Sequence, residues 1–341
     1  MKNLTLSEIR SATRGAAYVC EKEDGIHFHR FTEEEEGYYR YRFAEFYRKA
    51  LSTSGIKLTF RTDSRHLSLS VHADSMGSHR TYFSLDVLVN GKPIGYLDNY
   101  GKKPLSPRYH EDAFPLGDFA ADFDLGEGEK TLTLHLPWSV ILTLRALSLD
   151  DGASFAPVPR PDARFIAYGD SITQGYDATR PHLRQINRLA DALDAEEHNK
   201  AIGGEVFCPG LAACTPALSP DFITVAYGTN DWGKTDFATF AQNCPAFYAA
   251  LAARHPRARI FALTPIPRGG IMTNENFGHF YKVAETIRAV AAQHENITLI
   301  EGAELMPYDK SLYSDGYLHP NDAGFAVYAD NLIRKIRTFL A

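Results

Sequence analysis

Phe165-Ile166-Ala167-Tyr168-Gly169-Asp170-Ser171-Ile172-Thr173-Gln174-Gly175-Tyr176 decides how the second half of this chain is read. A short apolar run meets Gly169-Asp170, and Ser171 then opens a plausible helix. This is the grammar of a strand, a turn and a helix start. The turn lifts the Ser171 hydroxyl clear of the sheet edge. The helix start leaves backbone N–H groups free and presents the positive end of its dipole, which suits a developing negative charge beside the serine. Ser171 is the first candidate site residue.

Downstream, strands and helices alternate. Residues 186–193 read as helix, 197–201 as a short strand running into Ile202-Gly203-Gly204, and 222–227 as a buried strand ending at Gly228. Residues 236–255 form an amphipathic helix that Pro245 is expected to kink or break. Residues 259–264 read as strand, 277–294 as helix and 297–300 as the last strand, with Asn321 or Asp322 capping a final helix to Phe339. Repeated units of this kind predict an α/β fold with an open, mostly parallel sheet and helices on both faces. Sites in such folds gather at the carboxyl ends of the strands. Ser171, Gly204, Asn230 and the loop holding His319 all fall there.

Upstream the grammar differs. Residues 56–60 and 67–71 alternate with period two, as do 131–136 and 142–149, and Asn90-Gly91 separates two apolar runs as a hairpin turn does. Many short strands with little helical periodicity predict a β-sandwich. Its topology is jelly-roll or immunoglobulin-like, with jelly-roll the expectation. Pro157, Pro159 and Pro161 then make a stiff connector, so the expected domains are 1–158 and 159–341. His27 and His29 share a strand face, and without a third ligand at matching spacing they read as surface histidines. The run Glu33-Glu34-Glu35-Glu36 reads as a solvated loop. The aromatic residues from Tyr38 to Phe43 suit a sandwich core better than a sugar-stacking surface, and Trp232 likewise suits packing better than stacking.

Bulk properties exclude several functions. A length of 341 residues allows two cores, and a net charge of −6 supplies no basic surplus for nucleic acid. No run approaches the ~20 apolar residues of a membrane span, and the first residues contain no recognisable secretion signal. The four cysteines lack CxxC spacing and are expected as free, mostly buried thiols rather than as a Cys208–Cys214 disulfide. The expected location is the cytoplasm.

Four stretches line up in order: Gly169-Asp170-Ser171-Ile172-Thr173, residues 199–204 with their Gly-Gly turn, Gly228-Thr229-Asn230-Asp231, and residues 315–321 with His319-Pro320. Their order and spacing resemble the SGNH hydrolase superfamily, also called GDSL esterases. The resemblance covers residues 164–341 and implies a three-layer α/β/α, flavodoxin-like domain. It also implies Ser171 as nucleophile, His319 as base, and an oxyanion hole built from Ser171, Gly204 (or Gly203) and Asn230. The chemistry agrees independently. A serine hydroxyl needs a base near neutral pH, and the tetrahedral oxyanion needs preorganised donors. The sequence departs from the family pattern at the acid. It usually stands three residues before the histidine, where this chain has Gly316, while Asp315 stands four before. Either Asp315 reaches the imidazole through an outward bulge, or a main-chain carbonyl orients it and leaves a dyad. Asp315 is the expectation.

A β-sandwich ahead of such a domain is similar to carbohydrate esterase family 2. That similarity implies removal of acetyl groups from sugars or oligosaccharides such as xylo-oligosaccharides. The alternatives are a lipase, acylhydrolase or thioesterase of broader acyl range, and a non-catalytic carbohydrate-binding protein on the same scaffold. No metal or organic cofactor is expected. The expected partner is a small-molecule ester or acetylated oligosaccharide, with no nucleic acid and no membrane, and with room on the surface for a homo-oligomer.

Overall fold

The computed structural model describes residues 1–105 and 113–340. In its first half two antiparallel sheets pack face to face. One runs Tyr18–Lys22, Gly25–His29, Val140–Leu149, His66–Ser75, Gly117–Asp124 in spatial order; the other runs Ala156–Pro157, Lys57–Thr62, Lys130–His135, Ser84–Val89, Lys92–Asp98. Alternation explains the packing. In His66–Ser75, Leu67, Leu69 and Val71 point inward, and they meet Leu58, Phe60, Leu132 and Leu134 of the other sheet. The Asn90-Gly91 turn joins Ser84–Val89 to Lys92–Asp98 as expected.

The second half holds a parallel five-stranded sheet in the order Ala195–Asn199, Ala163–Gly169, Phe222–Ala226, Arg259–Leu263, Ile297–Ile300. Both faces are covered. Ile166, Tyr168, Ile223 and Val225 pack against the helices Phe237–Arg254 and Tyr281–Ala291, while Phe165, Ala167 and Phe222 face Gln185–Ala192 and Asp322–Leu340. The inner strands are largely apolar on both sides for this reason, whereas the edge strand Ala195–Asn199 carries buried polar residues, Glu196 to Asn199. Among the described residues no helix is long and apolar enough to cross a membrane.

Three expectations need correction. Glu33–Arg42 is a helix, not a solvated loop. Thr32 caps it in a capping box with Glu35, and four acids in its first turn suit the free N–H groups there. Glu35 and Glu36 are buried because each has a partner: Lys200 Nζ donates to Glu35, and Glu36 meets His29 Nδ1 at 2.6 Å. His29 is accordingly buried, stacked on Tyr18 at 4.1 Å, and is no surface histidine. Finally, Pro245 does not interrupt Phe237–Arg254. An internal proline costs about 3 kcal/mol, which burial of Phe240, Cys244, Phe247, Tyr248 and Leu251 on the same helix offsets.

Tyr39 is buried, as expected, but in the core of the parallel sheet rather than the sandwich. Phe31, Phe46 and Ala50 join it there, so the helices Glu33–Arg42 and Ala44–Ala50 pack against the second half of the chain. Arg30 secures this joint. Fully buried, it donates to the carbonyls of Lys49, Ser52, Asn199 and Ala201 at 2.7–3.0 Å. Trp232 is buried and T-shaped against Phe280. All four cysteines are free thiols, and Cys208, Cys214 and Cys244 are buried.

Candidate active site

The Ala163–Gly169 strand delivers Ser171 to the first position of a one-turn helix, Ser171–Gln174. Asp170 caps that helix: its Oδ1 accepts the Ile172 N–H at 3.0 Å. Ser171 Oγ lies 2.9 Å from His319 Nε2, and His319 Nδ1 lies 2.8 Å from Asp315 Oδ2. The extra residue in the Asp-to-His spacing is accommodated at Gly316, whose φ of +74° turns the loop outward and leaves open space around its Cα. Asp315 thereby folds back under its own loop, and its Oδ1 accepts the N–H groups of Tyr317, Leu318 and His319. Burial alone raises the Asp315 pKa. The bond to His319, the imidazole charge and the backbone donors outweigh that and hold it at about 2. Asp315 is thus ionised across the working pH range and fixes the proton on His319 Nδ1.

The three expected oxyanion donors stand at the ends of neighbouring strands. Gly204 follows Ala195–Asn199 and has φ +90°, a conformation that favours glycine. Asn230 sits in the first turn of the helix Thr229–Lys234, and its Nδ2 donates to Asp170 Oδ2 at 3.3 Å. Among the described residues the N–H groups of Ser171 and Gly204 have no acceptor in the protein. Gly203 is not equivalent: its N–H already donates to Gln174 Oε1 at 2.7 Å.

Beneath these donors lie buried acids. Burial pushes Asp170 up to about 6, against the pull of the Ile172 N–H and His319. Burial, with Asp170 nearby, pushes Asp231 to about 7. Asp231 Oδ1 accepts the Phe207 N–H, and its Oδ2 has no partner.

Several neighbours of the site were not singled out by sequence pattern. Asp177 directly follows the Ser171 stretch, and its side chain is wholly buried with Oδ2 3.9 Å from His319 Nδ1. Ser314 donates to that carboxylate, and Arg80 Nε pairs with its other oxygen at 3.0 Å. Tyr176 stacks on the His319 ring with centroids 6.1 Å apart. Asp177, Asp315 and His319 bring ligand atoms within 4.8 Å of one another, the one such group among the described residues. Lys49 Nζ donates to Gly203 O at 2.9 Å and Lys234 Nζ to Gly204 O at 2.7 Å. Adjacency to the serine stretch was the only available signal for Asp177. Arg80 and Lys49 lie in the first half and carried none.

Residues 167–327 match the GDSL-like Lipase/Acylhydrolase family. No curated protein matches the chain significantly. Among solved structures, a salicylyl-acyltransferase from a tetracycline biosynthetic pathway is similar across 100% of this chain and 98% of its own, with 21% identity and a TM-score of 0.83. A family two carbohydrate esterase from Cellvibrio japonicus covers 99% of this chain and 98% of its own at 16% identity and a TM-score of 0.68. An acetyl xylan esterase from the rumen bacterium Butyrivibrio proteoclasticus covers 100% and 99% at 17% identity and a TM-score of 0.63. At these identities the likeness is one of fold, and it extends over both halves of the chain.

Proposed function

We propose that this chain, whose residues 167–327 carry a GDSL-like lipase/acylhydrolase domain, is a serine esterase that removes acetyl groups from sugars or short oligosaccharides such as xylo-oligosaccharides. The observation that carries the esterase part is the continuous hydrogen-bonded path Ser171–His319–Asp315 beside two amide N–H groups without acceptors.

His319 Nε2 takes the Ser171 proton as Oγ attacks the ester carbonyl. The Ser171 and Gly204 N–H groups and Asn230 Nδ2 receive the oxyanion. Asp315 holds the Nδ1 proton and stabilises the imidazolium. Collapse passes the proton taken from Ser171 on from Nε2 to the departing sugar oxygen, leaving an acyl-enzyme on Ser171. Water, deprotonated by His319, then releases acetate.

The sugar ester reading is supported by fold likeness to the carbohydrate esterases alone. An ester panel tests it. Labelling by a fluorophosphonate, lost in Ser171→Ala, is expected. So is cleavage of 4-nitrophenyl acetate well above butyrate, with acetate released from acetylated xylobiose. An optimum at eight carbons or more identifies a lipase or thioesterase instead, and no labelling identifies a binding protein. The acyltransferase of similar fold makes transfer to a second alcohol a specific further outcome. It would appear as an acylated acceptor formed in competition with free acid.

A further inference from the structure

Arg268 makes no ion pair among the described residues, although the charge of Asp315 acts on it from beyond ion-pair distance. It lies on the loop after the Arg259–Leu263 strand, at the same carboxyl edge of the sheet as Ser171, Gly204 and Asn230. Its backbone is held from both sides by the loop that carries the catalytic histidine. Tyr313 Oη donates to Pro267 O at 2.6 Å, and the Gly269 N–H donates to Tyr317 O at 2.9 Å. The guanidinium lies over Trp232, in the helix that bears Asn230, with Cζ 5.0 Å from the ring centroid and 5.6 Å from that of Phe280. It therefore touches the helix that bears Asn230 and is anchored, through its neighbours Pro267 and Gly269, to the loop that carries Asp315 and His319.

The side chain is half-buried, and its Nε is fully buried with no acceptor. No carboxylate among the described residues pairs with it. Arg80, Arg180, Arg184 and Arg288, by contrast, all have one. A guanidinium stripped of water on one edge and left unpaired is costly unless something outside the protein completes it. Its planar fork matches the two oxygens of a carboxylate or phosphate. The acetyl group carries no charge, so the charge must sit on the alcohol part of the substrate.

We propose that Arg268 is a specificity residue that binds a carboxylate or phosphate on the sugar, so that the preferred substrates are acetylated sugar acids or acetylated sugar phosphates. This rests on the esterase reading, yet it can be tested apart from it. Ser171→Ala protein is titrated calorimetrically with methyl glucoside, glucuronate and glucose 6-phosphate, with and without Arg268→Met. At least one anion is expected to bind about 10-fold or more tightly than the neutral sugar. Which of the two does so separates carboxylate from phosphate recognition. Arg268→Met should abolish the margin and Arg268→Lys should keep part of it. In the active enzyme, the ratio of kcat/KM for the acetylated anionic sugar over acetylated methyl glucoside should fall by a similar factor in Arg268→Met. Equal binding of the three sugars, which requires no variant, overturns the proposal, as does a margin that survives Arg268→Met. Failure of the fluorophosphonate to label Ser171 overturns the esterase reading alone and leaves the titrations to decide Arg268.

Discussion

Lys49 Nζ donates to the carbonyl oxygen of Gly203 at 2.9 Å, across 154 residues of chain. That carbonyl and the Gly204 N–H belong to one planar trans peptide and point in opposite directions. Holding one aims the other. Lys234 holds the next carbonyl, Gly204 O, at 2.7 Å. A helix from the first half of the chain thus orients a proposed oxyanion donor in the second.

Lys49→Met should therefore lower kcat on 4-nitrophenyl acetate by about 10-fold, less than outright loss of a donor, which costs ~10²–10³. KM should change little, because the donor acts on the transition state. Lys49→Arg should recover part of the rate. A kcat unchanged in Lys49→Met would sink this role.

The Asp315 carboxylate is expected to matter through His319. Asp315→Ala should reduce kcat by about 10³-fold. Asp177, with Oδ2 3.9 Å from His319 Nδ1, supplies a remnant of the field, so the Asp177→Ala, Asp315→Ala pair should fall further than the single variant. Near-full activity in Asp315→Ala would leave the imidazole oriented by something else.

Stability should depend on pH in opposite senses at the two kinds of acid. Asp315, held at about 2, contributes stability that is full above its unfolded value and lost as pH falls from about 4 to 2. Asp231, raised to about 7 chiefly by burial, favours the folded state below its unfolded value, and that contribution is lost as pH rises through 7. The Tm of the wild type should fall between pH 5 and pH 8. Asp231→Asn keeps the acceptor for the Phe207 N–H, cannot ionise, and should reduce that fall by a few degrees in a thermal melt at both pH values. An identical fall in the variant would show that Asp231 does not titrate in this range.

Arg30→Met should destabilise the whole protein. It strips the donor from the carbonyls of Ser52, Asn199 and Ala201, where the bonds are buried, and from that of Lys49, where the bond is part-buried. Each orphaned group costs about 1–3 kcal/mol, so a Tm drop of about 5 °C or more is expected. The melt should stay a single transition if the two halves unfold together, and two transitions would show that they come apart.

The strands, helices and four motif positions of the second half were legible in the sequence, because the periods that mark strand and helix are local and the site residues lie at strand ends. Ser171 could be singled out from its local stretch, while Gly204, with Gly203 as the alternative, Asn230 and His319 were named through the family resemblance that their order and spacing carry. Asp315 could be named but not joined to His319, since one extra residue in a loop is harmless or fatal depending on the backbone angle at Gly316. Tertiary structure alone decided that Glu35 and Tyr39 are buried against the second half, that Glu36 is buried against His29, that Asp177, Arg80 and Lys49 surround the site, and that Arg268 lies over Trp232. A charge that finds its partner 97 or 154 residues away leaves no period in the sequence, and only the folded chain shows which charges are paired and which is left open.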